Sequence, residues 1–267
     1  INYVPDKLCV ELKSIKLYMG SFRDIGAFHE DNTNNVLNDI ATLIKPRYVY
    51  EKIKRVEVEG KRRYAVPGGS PVASVTTILS GTKDMTHLHE WRRRVGHKKA
   101  QEITTEAAGV GTRMHKYLED YVDNGVWTES AGSNPYAQQA YKMACVIRDE
   151  AMVHVDEIWG SEVPLYVPGI YAGTTDLVGQ FKGNPCIMDF KQTNKPKKPE
   201  WVEDYYLQMT AYALGHNEVH GTDIREGHIF MCSRGLEYQQ FDLWPDEFAE
   251  WEQEWWNRCR QYYEQHG

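Results

Sequence analysis

Apolar residues recur at different spacings along this chain, and each spacing predicts a different element. Lys7 to Tyr18 alternates as a strand does, whereas His29 to Ile44 carries Val36, Leu37, Ile40, Ala41 and Ile44 at helical spacing. Tyr48 to Val58 and Arg62 to Val66, divided by Glu59-Gly60-Lys61, predict a hairpin. Pattern and composition change at Lys45-Pro46-Arg47, which places an expected boundary at about residue 47.

From Ser74 to Gly125 the spacing is helical, opening with Ser74-Val75-Thr76-Thr77-Ile78-Leu79 and later carrying Ile103 to Val122; Pro135 to Val153 predicts a further helix. Short β segments follow at Ile158 to Val167, Ala172 to Phe181 and Cys186 to Gln192, the last two joined by the turn formers of Lys182-Gly183-Asn184-Pro185. A helix at Tyr205 to Gly215, strands at Gly227 to Ser233 and Leu236 to Leu243, and a terminal helix from Pro245 complete the chain. This order predicts an α/β fold with a mixed central sheet flanked by helices over residues 48–267, preceded by a short appendage at 1–47.

The length of 267 residues suits one domain plus an appendage, and 41% hydrophobic with 26% charged residues excludes wholesale disorder and fibrous folds. No stretch approaches the roughly eighteen apolar residues of a membrane helix, and no leader opens the chain, so a cytoplasmic protein without a membrane partner is expected. The first residue is Ile1, from which a processed or cut beginning is expected. Five scattered cysteines without a CxxC pair argue for reduced thiols rather than a disulfide framework, a zinc knuckle or an iron–sulfur cluster. A net charge of −7 removes any global attraction for nucleic acid, so such a partner would need local basic patches or metal ions.

The chemistry concentrates in Gly173-Thr174-Thr175-Asp176 and Ile187-Met188-Asp189-Phe190-Lys191. On a strand, Asp189 and Lys191 share a face while Phe190 turns into packing, and a hairpin partner can set Asp176 beside them. Crowded carboxylates repel unless a cation sits between them, and hard oxygen donors suit Mg²⁺ or Mn²⁺. Lys191 can then orient a metal-activated water or help deprotonate it. The plainer alternative is a solvated Asp189–Lys191 salt bridge; apolar Ile187, Met188 and Phe190 favour an interior strand, where unpaired charge is costly. Glu162, ahead of Val163-Pro164-Leu165-Tyr166-Val167, offers a third carboxylate. His115 and Glu119 share a helix face at i and i+4, as do Gln208 and Tyr212; a surface histidine and an ordinary amphipathic pair are the bland readings.

The ordered set His115, Glu162, Asp176, Asp189-Phe190-Lys191, Gln208 and Tyr212 resembles the PD-(D/E)XK nuclease superfamily, in particular its RecB-like branch. That branch runs GxxxHxxxE, an acidic residue, GxxD, DxK and QxxxY in this order. The resemblance spans about residues 48–265 and is nearest to small phage exonucleases related to the mitochondrial genome maintenance exonuclease. It implies a restriction-endonuclease-like core in which Asp176, Asp189, the Phe190 carbonyl and His115 hold one or two Mg²⁺ or Mn²⁺ ions. Glu162 would assist at the metal, Lys191 would act on the nucleophilic water, and Gln208 with Tyr212 would support the lysine and the DNA strand. The implied activity is hydrolysis of DNA phosphodiesters in phage replication, recombination or degradation, on DNA with free ends; a catalytically silent nucleic-acid-binding module is the alternative.

Basic groups that can meet phosphates are Lys52-Ile53-Lys54-Arg55, Lys61-Arg62-Arg63, Arg92-Arg93-Arg94 with His97-Lys98-Lys99, and Lys195-Pro196-Lys197-Lys198. The Arg92, Arg93, Arg94 and Lys195, Lys197, Lys198 groups are the preferred DNA-binding candidates, against the plainer reading of a solvated charged face. Trp251, Trp255 and Trp256, at helical spacing, are expected to pack rather than stack on bases.

Glu11-Leu12-Lys13-Ser14-Ile15-Lys16-Leu17-Tyr18, Ser21-Phe22-Arg23 and Phe28-His29-Glu30 resemble a second family, the QueF-type NADPH-dependent nitrile reductases of queuosine synthesis. The match covers only the later part of that short tunnelling fold. The family's nucleophilic cysteine and proton-donating aspartate lie upstream of the matching segment, and Cys9 does not take their place. No reductase activity and no organic cofactor are therefore expected, and a gene junction or decayed fusion would account for the segment.

Overall fold

A computed structural model describes residues 2–4, 7–22, 29–44, 48–50, 53–58, 60–67 and 69–266. The Lys45-Pro46-Arg47 break, Lys52, and the side chains of Arg62, His29 and Glu30 lie outside what it describes. The chain divides into two compact units, Ile1–Lys54 and Arg55–Gly267.

In the first unit, β1 (Asn2–Val4) pairs antiparallel with β2 (Tyr48–Tyr50), and α1 (Leu12–Ser21) and α2 (His29–Ile44) lie between them in sequence. The strand expected at Lys7 to Tyr18 is thus a helix over most of its length. Its alternation is ambiguous, because Ile15, Tyr18 and Phe22 also stand at i, i+3 and i+7, and Glu11 caps the helix by accepting from the Ser14 N–H at 2.8 Å. Tyr18 and Phe22 meet edge to face at 5.1 Å, and the Tyr18 hydroxyl bonds Asp39 of α2. The expected Tyr48–Val58 strand is interrupted, since Tyr48–Tyr50 pairs with β1. This puts the division between units after Lys54 rather than near residue 47.

The second unit begins with the hairpin β3 (Lys54–Val58) and β4 (Lys61–Ala65). Next come β5 (Ala73–Ser74), α3 (Val75–Thr82), α4 (Thr86–Val95), α5 (His97–Asn124) and α6 (Pro135–Glu150). Strands β6 (Val155–Val167), β7 (Tyr171–Phe181) and β8 (Asn184–Thr193) precede α7 (Glu203–His220), and β9 (Gly227–Ser233), β10 (Tyr238–Leu243) and α8 (Phe248–His266) end the chain. The sheet runs β10-β9-β8-β7-β5, with β6 also paired to β7. The β8–β9 and β5–β7 pairs are parallel and the others antiparallel, so the fold is mixed α/β with a mixed central sheet between helices.

Local chemistry explains the boundaries. Ser74 caps α3 through its hydroxyl, which accepts from the Thr77 N–H at 3.0 Å. Asn134 caps α6, with Pro135 at the first helical position. Helix α5 stops at Gly125, whose φ of 67° suits the left-handed cap glycine adopts without a Cβ clash. The β7–β8 turn needs only Lys182 and Gly183, both at positive φ, the geometry that matches strand twist in two-residue hairpins.

One face of the sheet buries Leu177, Phe181, Met188, Phe190 and Phe230 against Val110, Met114 and Leu118 of α5 and Ala140, Met143 and Ile147 of α6. Met188 and Phe190 enter this core while Ile187, Asp189 and Lys191 alternate to the other side, where α7 crosses. Trp255 is fully buried, as expected for packing, and meets Tyr171 edge to face at 5.0 Å. No described helix is long and apolar enough to cross a membrane. The five cysteines are free thiols, with Cys186, Cys232 and Cys259 buried and Cys9 exposed.

On α7, His216 is fully buried, stacks with Trp159 at 6.4 Å and lies 4.5 Å from the His220 ring. Burial, and for His216 the neighbouring His220, holds their pKa values down to about 3 and about 4. The unfolded chain takes up these protons near pH 6.5 and the folded chain does not, so stability is full above that pH and falls as acid is added. The denaturation midpoint is expected to drop between pH 7 and pH 5, and less so in His216→Gln; equal slopes would contradict this assignment.

Candidate active site

The strands β7 and β8 are laddered from Phe181↔Asn184 to Leu177↔Met188 and then part. Beyond the fork, β8 continues beside β9, while β7 meets β5 at Tyr171 and Ala172. Asp176 and Asp189 are the first residues past the last rung. In place of a ladder partner, the Phe190 N–H donates to Asp176 Oδ2 at 2.8 Å. A side-chain carboxylate thus satisfies a backbone donor that divergence would otherwise orphan.

The charged groups gather around this fork. Asp189, almost fully buried, is ion-paired to Lys191. Asp176 Oδ2 lies 3.3 Å from His115 Nδ1, which α5 brings across the sheet, and the His115 ring meets Phe190 edge-on at 6.2 Å. Glu162 falls between the rungs Ser161↔Leu177 and Val163↔Thr175, opposite Asp176. Its φ of 50° is one that few non-glycine residues adopt, and such strain concentrates at functional positions. From α7, Gln208 Nε2 donates to the Tyr212 hydroxyl at 2.9 Å, and both side chains are buried.

Electrostatics follows from this crowding. Burial and then the Asp176 charge push Asp189 up to about 6. Glu162 keeps an exposed side chain by area, but partial enclosure, followed by repulsion from Asp176 and Glu119, raises it to about 7. Burial opposes ionisation of Asp176, yet His115, Lys191 and the Phe190 N–H outweigh it and hold its pKa low. Burial likewise opposes the charge on Lys191 and His115, and the neighbouring carboxylates overcome it, so both pKa values rise. The site therefore combines Asp176, whose ionised form is favoured, with Asp189 and Glu162, whose proton affinity is raised, and with Lys191 and His115, whose charged forms the carboxylates favour.

Among the described residues, no three His, Cys, Asp or Glu side chains stand together as a ready metal-holding group. Lys191 instead lies against Asp189, and His115 against Asp176. The donor set is nonetheless compatible with a dication. Asp176 and Asp189 present carboxylate oxygens on either side of the fork, and hard oxygen donors suit Mg²⁺ or Mn²⁺.

The remaining predicted residues stand on α4 and directly after β8. Arg92, Arg93 and Arg94 end α4, with Arg93 and Arg94 exposed. Lys195 and Lys198 are exposed after β8, Lys198 near Glu200 at 3.8 Å. Lys197 is half-buried, and burial followed by the charge of Lys83 lowers its pKa. Sequence reasoning missed Tyr205, which faces Lys191 Nζ at 5.3 Å, and it named Gly173 within GxxD without its packing role, which is to leave room for Tyr212. Tyr205 stands three residues before Gln208 on the same helix, a spacing that could have flagged it.

Comparison with known proteins separates the two ends of the chain. A family model described as QueF-like protein matches residues 1–58. The NADPH-dependent 7-cyano-7-deazaguanine reductase of Nitrosospira multiformis is 59% identical over 49 residues, 18% of this chain and 35% of that protein. That of Alkalilimnicola ehrlichii is 61% identical over 49 residues, 18% of this chain and 38% of that protein. The chain spans about a third of the length of these curated relatives. Among solved structures, a candidate exonuclease from Eubacterium rectale is 13% identical and covers 57% of this chain and 64% of its own, with a TM-score of 0.41. The QueF resemblance of the first residues thus has direct support from sequence.

A Cβ at position 173 would lie 2.6 Å from Tyr212 Cε1. Gly173→Ala is expected to destabilise the fold by about 1–3 kcal/mol in urea titration, and by clearly less in a Tyr212→Leu background. Additive effects would mean that the two positions do not meet.

Proposed function

We propose that the unit Arg55–Gly267 is a divalent-metal-dependent deoxyribonuclease, an exonuclease that hydrolyses phosphodiester bonds of DNA with free ends in phage replication, recombination or degradation. One observation carries this reading: Asp176, Asp189, Glu162, His115 and Lys191 converge where β7 and β8 part. Burying that much charge without a catalytic use is costly, because a buried pair rarely repays its desolvation.

In this reading Asp176, Asp189, the Phe190 carbonyl and His115 hold Mg²⁺ or Mn²⁺, with Glu162 beside them. When bound, the ion lowers the pKa of a water and stabilises charge on a phosphoryl oxygen. Lys191, held as an ammonium by Asp189 and Asp176, donates hydrogen bonds and so orients a nucleophile rather than serving as its base. Glu162, opposite Asp176 on the neighbouring strand, would assist at the metal. Tyr212, locked by Gln208, supports the Asp189 and Lys191 face from α7.

End-labelled single- and double-stranded DNA incubated with Mg²⁺ or with chelator tests the reading. Asp189→Asn and Lys191→Ala are each expected to lower the cleavage rate at least about a hundredfold, with circular dichroism unchanged. Cleavage that survives either change, or persists in chelator, would overturn it. The lack of a ready metal-holding group among the described residues favours a second reading, a catalytically silent nucleic-acid-binding module. Metal-independent DNA binding without product would select that alternative.

A further inference from the structure

Outside the fork, the strongest feature is a cleft of about 390 Å³ where α4 meets α5, lined by Arg92, His97, Lys98, Ala100, Gln101 and Thr104. Its lining contains two permanent cations, a histidine and no carboxylate. The neighbouring acids are engaged elsewhere: Glu90 lies 3.8 Å from His87, and Glu102 lies 3.4 Å from Lys99. Among the described residues, neither Arg92 nor Lys98 has a carboxylate within the 4.0 Å of an ion pair. On a chain of net charge −7, an uncompensated basic hollow is selective for anions. The uncapped first turn of α5, which begins after Gly96, adds its backbone N–H groups to the same sign of potential.

Position narrows the anion to one carried on a polymer. His97, Gln101, Thr104, Ala108, Gly111 and His115 follow each other by four, three, four, three and four residues, so they share one face of α5. The face is exposed at the first four positions and half-buried at the last two, and between cleft and fork it carries only Ala108 and Gly111, which add no bulk. The eighteen helical steps from His97 to His115 correspond to about five turns and about 27 Å, which is about eight nucleotides along one strand of B-form DNA. A strand with one phosphate in the cleft and another at the fork would run along an open helix face.

We propose that the α4–α5 cleft is a binding site for a backbone phosphate of a nucleic-acid strand, and that α5 sets its distance from the fork. This rests on the nucleic-acid reading of the fork but not on hydrolysis there. The test is binding by the full chain, without metal, of fluorescein-labelled single strands of about 4 and about 16 nucleotides, since only the longer can bridge about 27 Å. The 16-mer is expected to bind at least about tenfold more tightly than the 4-mer. That advantage is expected to be lost in Lys98→Ala/Gln101→Glu, with a shallower salt dependence, and retained in Lys142→Ala, which removes an exposed charge on α6. An equal loss in both variants, or no length advantage in the unaltered protein, overturns the proposal. Cleavage with Mg²⁺ is scored separately. Cleavage without a cleft effect removes the cleft and leaves the nuclease reading, whereas a cleft effect on a protein that never cuts removes hydrolysis and leaves the cleft.

Discussion

The hydrogen bond from the Phe190 N–H to Asp176 holds together a place where two strands separate. Without it, divergence of β7 from β8 would leave a buried donor unmet, at a cost of about 1–3 kcal/mol. With it, a carboxylate is fixed at the rim of the sheet, and each other ionisable group must arrange itself around that charge. His115 approaches Asp176, Lys191 is drawn onto Asp189, and Glu162 and Asp189 hold their protons more tightly. The fork is at once a solution to a backbone problem and the source of an electrostatic one.

The scaffold around the fork is arranged to keep these charges apart from the core. Alternation along β8 sends Met188 and Phe190 into the α5–α6 layer and Asp189 and Lys191 toward α7. A slip of one residue would exchange the two sets, burying both charges among Met114, Leu118 and Phe230. The two-residue turn at Lys182 and Gly183 pins the register, and parallel pairing with β9 fixes the other edge.

Much of this was legible in the chain. The apolar frame of Ile187-Met188-Asp189-Phe190-Lys191 announced an interior strand, and the spacing of Val36, Leu37, Ile40, Ala41 and Ile44 announced α2. Lys7 to Tyr18 misled, since its apolar positions fit a period of two while Ile15, Tyr18 and Phe22 fit one of 3.6, and a capping Glu11 decided in favour of the helix. The left-handed backbone of Glu162, the room that Gly173 leaves for Tyr212, and the hollow beside Arg92 had no local signature. Each is made by segments that meet only after folding, and charge runs alone did not separate Arg92 and Lys98 from the lysines after β8.

The crossover of α7 between the parallel strands β8 and β9 has a further consequence for biosynthesis. When the ribosome has released residues up to Thr193, the edge of β8 that will meet β9 is bare, and it stays so until Ser233 has emerged. During that interval a growing polypeptide carries an apolar strand with unpaired backbone groups, the kind of edge that invites association with other chains. Parallel partners distant in sequence also fold slowly, so this edge of the sheet stays open to wrong partners until β9 docks.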